Sequence, residues 1–130
     1  MPDPNAKQVA GTHYAGKYQH WDYVRLALQD RYLEGNATKY VSRWRKKNGV
    51  QDLEKAKHYV EKIVALFDNQ DYMEPLPWDS HVAEAENFCD SNELEDDERL
   101  ICIGLSRWRT KQDLLNISTA LNRLVALAKN

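Results

Sequence analysis

Four cations and one amide, spaced for a single helix face, are the first chemistry that this 130-residue sequence offers. At roughly 100° per residue, Asn36, Arg43 and Lys47 fall on one line, with Lys39 and Lys46 roughly 60° to 80° to one side. Ala37, Val41 and Trp44 form an apolar arc on the other side, with Tyr40 between. Such a face suits a phosphate-bearing ligand: arginine supplies a planar fork, lysine a point charge, and asparagine hydrogen bonds to a base or sugar. Gly35-Asn36, read as the start of the helix, adds free backbone N–H groups and the positive end of the helix dipole. The plain alternative is a solvated basic face.

Other chemistries are less well supported by spacing. Gly11-Thr12-His13-Tyr14-Ala15-Gly16-Lys17 fits half of a Walker A loop, but Tyr18 stands where a Mg²⁺-binding Ser or Thr belongs and no apolar strand precedes it. A glycine-rich arm folding over an anion stays open. His13, His20, His58 and His81 form no H-x-x-x-H pair, and Cys89 and Cys102 have no zinc-ligand spacing, so no metal is expected. Two cysteines are also too few for a disulfide framework. The acids Glu84, Glu86, Glu93, Glu95, Asp96, Asp97 and Glu98 are read as favouring the dipole of the helix that follows. No Ser-His-Asp or Cys-His arrangement can be argued.

The elements that must carry these residues are helical throughout, because no stretch sustains the apolar/polar alternation of a half-buried strand. A first helix is expected from Asp22, near its N-cap, towards Leu33, burying Val24, Leu26, Ala27 and Leu28, with Glu34-Gly35-Asn36 as its breaker. A second runs from Asn36 to Lys47 with Ala37, Tyr40, Val41 and Trp44 inward, and Asn48-Gly49 caps it. A third, Gln51 to Phe67, buries Leu53, Ala56, Val60, Ile63, Val64 and Phe67. Asp68 to Trp78, with Pro75 and Pro77, reads as a linker. At 42% hydrophobic and 29% charged residues, with no apolar run of membrane-spanning length, the composition is that of a soluble globular chain. Met1-Pro2-Asp3-Pro4-Asn5 has neither a basic flank nor an apolar stretch, so a cytoplasmic location is expected.

The net charge of -2 hides three blocks. Residues 1–67 carry +5, residues 68–98 carry -12 without a single base, and residues 99–130 carry +5. The surface is therefore expected to have faces of opposite sign, the basic ones attracting anions.

An internal repeat organises the chain. Ser42-Arg43-Trp44-Arg45 recurs as Ser106-Arg107-Trp108-Arg109, Gln51-Asp52-Leu53 as Gln112-Asp113-Leu114, and Val64-Ala65-Leu66 as Val125-Ala126-Leu127. Pairing residues 42–47 with 106–111 and 51–69 with 112–130 gives 12 identities in 25 positions. Trp21-Asp22 matches Trp78-Asp79. The expectation is an all-α helical bundle built from a tandem duplication of a three-helix unit, with a pseudo-two-fold axis. Its parts are an N-terminal arm (1–20), a first repeat (21–69), a linker (70–77) and a second, degenerate repeat (78–130). In that repeat Leu100 and Ile103 replace Asn36 and Lys39, so the candidate site belongs to the first copy.

His13-Tyr14, then Gly35-Asn36-Ala37-Thr38-Lys39-Tyr40-Val41-Ser42-Arg43, Lys46-Lys47-Asn48-Gly49, and Asp52-Leu53-Glu54-Lys55-Ala56 with Tyr59 resemble a small phage protein family. Its pattern is an H-Y pair, a G-N-x-x-K-Y-x-x-R helix, a K-x-G turn and a D-L-x-K-A-x-x-Y helix, and the match covers about residues 12 to 66. Members are labelled as of unknown function or as phage nucleotide kinase. The resemblance implies that Tyr14, Asn36, Lys39, Arg43, Lys47, Lys55 and Tyr59 bind a nucleotide, with His13 and Asp52 as candidate catalytic groups. It also implies the cytoplasm of an infected bacterial host. Each residue has a bland reading beside this: Asp52 as a first-turn acid, Tyr59 as a cap on the core, Lys55 as a solvated charge.

Three functions are therefore expected to compete. One is a deoxynucleoside monophosphate kinase without a P-loop, with no evident cofactor beyond ATP as donor and Lys39, Arg43 and Lys47 as phosphate clamps. The second is a nucleotide-sequestering binder without turnover. The third is a module whose acidic block, 68–98, engages a host protein. Duplex DNA is not an expected partner, since a pI near 6.1 and that acidic block would repel it. A homo-oligomer is left open.

Overall fold

The computed structural model describes residues 18–72, 74, 76 and 80–130. His13, Tyr14, the Gly11 to Lys17 loop and the Trp78-Asp79 pair lie outside them. Among the described residues the chain is all-α: α1 His20–Leu28, α2 Tyr32–Arg43, α3 Val50–Asp68, α4 Ser80–Ser91, α5 Asp96–Arg107 and α6 Lys111–Lys129. None of these helices is long and apolar enough to cross a membrane.

The first break falls earlier than the sequence pattern suggests. α1 ends at Leu28, and Gln29 and Asp30 take left-handed φ values of 50° and 61°. The Asp30 N–H closes back onto Val24 O at 3.0 Å. Glu34, Gly35 and Asn36 then sit within α2, whose first turn begins at Tyr32, and the Gly35 N–H is already bonded to Arg31 O at 2.9 Å. Gly35-Asn36 is thus not a free helix start. The glycine serves packing instead, since a Cβ there would stand 3.3 Å from Val24 Cγ1 where α1 crosses α2. Asp22 is likewise not the cap of α1; Gln19 precedes the helix and Asp22 lies in its first turn.

α2 also stops sooner than expected, at Arg43. The Lys46 N–H bonds Arg43 O and the Gly49 N–H bonds Trp44 O, each at 2.9 Å, which draws the chain into a turn that Gly49 completes at φ 58°. Lys46 and Lys47 lie in that turn, so Lys47 leaves the line of Asn36 and Arg43. The corresponding join before α6 is shorter and has a capping box: Thr110 Oγ1 accepts the Asp113 N–H at 3.1 Å, and Asp113 Oδ2 accepts the Thr110 N–H at 3.1 Å and the Arg109 N–H at 2.9 Å. These bonds, the one from Arg109 foremost, hold the Asp113 carboxyl below its ordinary value.

α2 packs on α3 and α5 on α6; the two 19-residue helices α3 and α6 lie against each other, α2 meets α5, and α1 meets α4. Leu53, Ala56, Val60 and Ile63 of α3 share one apolar core with Leu114, Ile117, Leu121 and Leu124 of α6. Leu26, expected inside, is exposed, and Tyr23 takes the inward place. Its ring stacks on Phe88 at 4.5 Å and its hydroxyl donates to Cys102 O at 2.6 Å, tying α1 to α4 and α5.

Two buried glutamates cross the bundle. The Trp44 indole N–H donates to Glu98 at 2.8 Å, and the Trp108 indole N–H donates to Glu34 at 3.2 Å. Each carboxylate thus holds the tryptophan at the end of the other one's helix.

Candidate functional site

Tyr40 is the centre of the basic surface. The Arg43 guanidinium lies 4.7 Å from its ring centroid, Lys55 Nζ 5.3 Å and Lys39 Nζ 5.7 Å. Cations within about 6 Å of an aromatic ring are drawn by its quadrupole. The ring is held nearly parallel to Tyr59 of α3, centroids 6.1 Å apart, and Tyr32 meets Tyr59 edge-on at 6.2 Å. Burial first, then the Tyr32 hydroxyl, raise the Tyr59 phenol above its ordinary value. Helix geometry accounts for this grouping: Asn36, Lys39, Tyr40 and Arg43 are spaced by three and four on α2, and Lys55 and Tyr59 stand four apart on α3.

Among the described residues, Arg43 is the one of the three cations that has a carboxylate partner. Its Nε and NH2 donate to Asp52 at 3.3 and 3.4 Å. Asp52 is wholly buried and also accepts the Asn48 N–H at 3.3 Å, so both oxygens are turned inward to the α2–α3 join. Among the described residues, neither the Lys39 nor the Lys55 ammonium has an ion pair or hydrogen bond. The Asn36 amide N–H₂ donates to Tyr32 O at 2.8 Å, one turn back, which leaves its carbonyl oxygen as the outward group.

A groove of about 320 Å³ adjoins this cluster, bounded by His20 and Trp21 of α1 and by Arg31, Tyr32, Asn36 and Lys39. Arg31 is only 8% exposed, yet among the described residues its NH1 has no hydrogen-bond partner; Glu34 lies 3.5 Å away, within ion-pair reach but not aligned to accept. Its NH2 donates to Glu74 O. His20 sits on the inner wall, 2.8 Å from Thr38 Oγ1. The Thr38 hydroxyl directs its single proton at the Glu34 and Gly35 carbonyls, so His20 Nε2 is the donor in that pair. Burial, then the Lys39 charge, bring the His20 pKa down to about 4, and the ring is neutral at pH 7.

The structure brings Asn36, Lys39, Arg43, Lys55 and Tyr59 onto one surface, places Asp52 behind Arg43, and puts Lys47 exposed in the neighbouring turn. His13 and Tyr14 lie outside the described residues. Three contributors escape a reading by periodicity: Tyr40, which counts as half-apolar, and Arg31 and His20, which belong to no spacing pattern. Glu34 and Glu98 also escape it, although they stand 64 residues apart, the offset that separates Trp44 from Trp108.

Residues 9–61 match the family model DUF3310, described as a protein of unknown function. No curated protein and no solved structure matches the chain. The DUF3310 segment spans α1, α2 and most of α3, and so contains the whole Tyr40 cluster and the groove beside it, while α4, α5 and α6 lie beyond it.

Proposed function

We propose that the first three helices bind a phosphate-bearing ligand of nucleotide type, and that they do so without needing to turn it over. The observation that carries this reading is the convergence of Lys39, Arg43 and Lys55 on the Tyr40 ring with, among the described residues, a single carboxylate paired to them. Three like charges held this close repel one another, and an anion relieves that repulsion. The adjoining groove, with the Tyr32 and Trp21 rings and the Asn36 amide, is sized for a base or sugar.

Asp52 is read as a positioning residue for Arg43, because its buried carboxylate faces the guanidinium and not the open surface. That favours a sequestering binder over a kinase. The phage-type kinase reading rests on the motif resemblance alone. An acidic interaction module is less favoured, since Asp68, Asp90, Asp97 and Glu98 each pair with a base inside the chain. The chain is further read as a duplicated three-helix unit; the repeat register, the matching lengths of α2 with α5 and α3 with α6, and the crossed Trp–Glu bonds support this.

Calorimetric titration with deoxynucleoside monophosphates, ATP and inorganic phosphate tests the reading. Wild-type binding is expected to weaken about tenfold or more in Lys39→Ala/Lys55→Ala, a pair whose removal leaves Asp52 and Arg43 matched. Unchanged binding in that variant, or none in the wild type, overturns it. Chromatography of a mixture with ATP shows whether ADP and a diphosphate form, which would restore the kinase.

A further inference from the structure

A cavity of about 540 Å³ opens between α5 and α6, in the half of the chain that carries none of the cationic stripe. Its floor is apolar, made by Leu100, Ile103, Gly104 and Ile117, and Arg107 and Asn116 border it. In the register of the repeat, Gly104 stands where the first half has Tyr40, Ala120 where it has Tyr59, and Asp96 where it has Tyr32. The three rings that cover the α2–α3 surface are therefore all missing from the α5–α6 surface. Ile117, in place of Ala56, recovers part of the volume: a Cβ on Gly104 would lie 3.0 Å from Ile117 Cγ1. The remainder is open.

The cation bordering this space, Arg107, is also less engaged than its counterpart in the first half. Arg43 has a ring beneath it and Asp52 beside it, whereas Arg107 is exposed and has no ion pair, hydrogen bond or ring contact among the described residues. The acid equivalent to Asp52, Asp113, directs its hydrogen bonds to the cap of α6, although it borders the cavity and the Arg107 charge acts on it. Arg99, also on the rim, is tied to Asp90 at 2.6 Å. Glu86, Asp96 and Asp113 border the cavity too; Glu86 and Asp96 disfavour an anion at their edge, and Asp113 is already committed to the backbone N–H groups of the α6 cap.

We infer that the α5–α6 cavity is a binding site for a planar aromatic ring bearing a carboxylate or a phosphate. The ring lies over Leu100, Ile103 and Ile117, in the kind of place that Tyr40 takes between α2 and α3, and the acid meets the Arg107 fork and the Asn116 amide. A volume of this size is ample for one such molecule. The inference stands apart from the phosphate reading of the first half, because it uses none of the same residues.

Titration of the full chain with phenyl phosphate and with indole-3-acetate, followed by calorimetry and ligand-observed NMR, tests it. At least one is expected to bind, with inorganic phosphate, cyclohexanecarboxylate and benzyl alcohol about tenfold weaker or silent. Which probe binds separates a phosphate ester from a carboxylate as the acid. Arg107→Gln is expected to weaken binding about tenfold or more. Gly104→Tyr/Ile117→Ala, which restores the Tyr40/Ala56 combination, is expected to fill the cavity and abolish binding, while Lys39→Ala/Lys55→Ala leaves it intact. Should the double variant fail to fold, Arg107→Gln decides, since its exposed side chain supports no packing. Silence from both aromatic acids, equal binding of inorganic phosphate or the saturated acid, or unchanged binding in Arg107→Gln overturns the inference.

Discussion

The Trp44 indole N–H reaches Glu98 at 2.8 Å across 54 residues of chain, and Glu98 is 6% exposed. With its mirror, Trp108 on Glu34, it sets α2 against α5 by two charge-assisted bonds inside the core. A buried carboxylate that loses a donor keeps its desolvation cost, so truncation of either tryptophan is expensive. A double-mutant cycle on Trp44→Phe and Glu98→Gln, read by urea unfolding, is expected to show a coupling of about 1 to 3 kcal/mol. Glu34 should be the less replaceable acid. It is fully buried and takes Tyr72 and Trp108 as donors with Arg31 alongside, whereas Glu98 has Trp44 and a largely exposed Arg45. A larger loss in Glu98→Gln than in Glu34→Gln would contradict that ranking.

Asp52→Asn tests the carboxylate that positions Arg43. Neutralising it leaves the Arg43 guanidinium facing an amide and weakens the acceptor for the Asn48 N–H, so stability is expected to fall by about 1 to 3 kcal/mol. Wild-type stability in this variant would contradict the positioning role.

His20 predicts a slope of stability with pH. Its folded pKa, about 4, lies below the ordinary 6.5, so the unfolded chain takes up the proton first. Stability is full above pH 6.5 and falls as the pH drops towards 4, by about 2 to 3 kcal/mol from this group, its partial exposure included. His20→Gln keeps a donor for Thr38 and cannot titrate. The stability gap between wild type and variant is therefore expected to shift towards the variant across that window, and parallel pH profiles would refute the assignment.

Gly35→Val tests the crossing of α1 over α2. Valine's branched side chain must occupy space where even a Cβ meets Val24 at 3.3 Å, and an expected loss of about 1 to 3 kcal/mol follows from overpacking. Wild-type stability in this variant would show that α1 is free to shift.

Helical class, the apolar faces of α3 and α6, the SRWR repeat and the run of Asn36, Lys39 and Arg43 could all be read from the chain, because a 3.6-residue period and residue identity are local properties. Helix ends were less legible. Gly35 looks like a breaker by propensity, yet its close approach to Val24 is a demand of packing, and the left-handed pair Gln29-Asp30 carries no strong turn composition. Tyr40 as the hub of three cations, the burial of Arg31 beside Glu34, and the two Trp–Glu bonds depend on which helix faces which. So does the α5–α6 cavity, where replacing Tyr40 by Gly104 acquires meaning only once α6 closes over it. Burial and electrostatic convergence are sums over residues distant in sequence, and only the packing of α2 on α3 and of α5 on α6 brings those residues together.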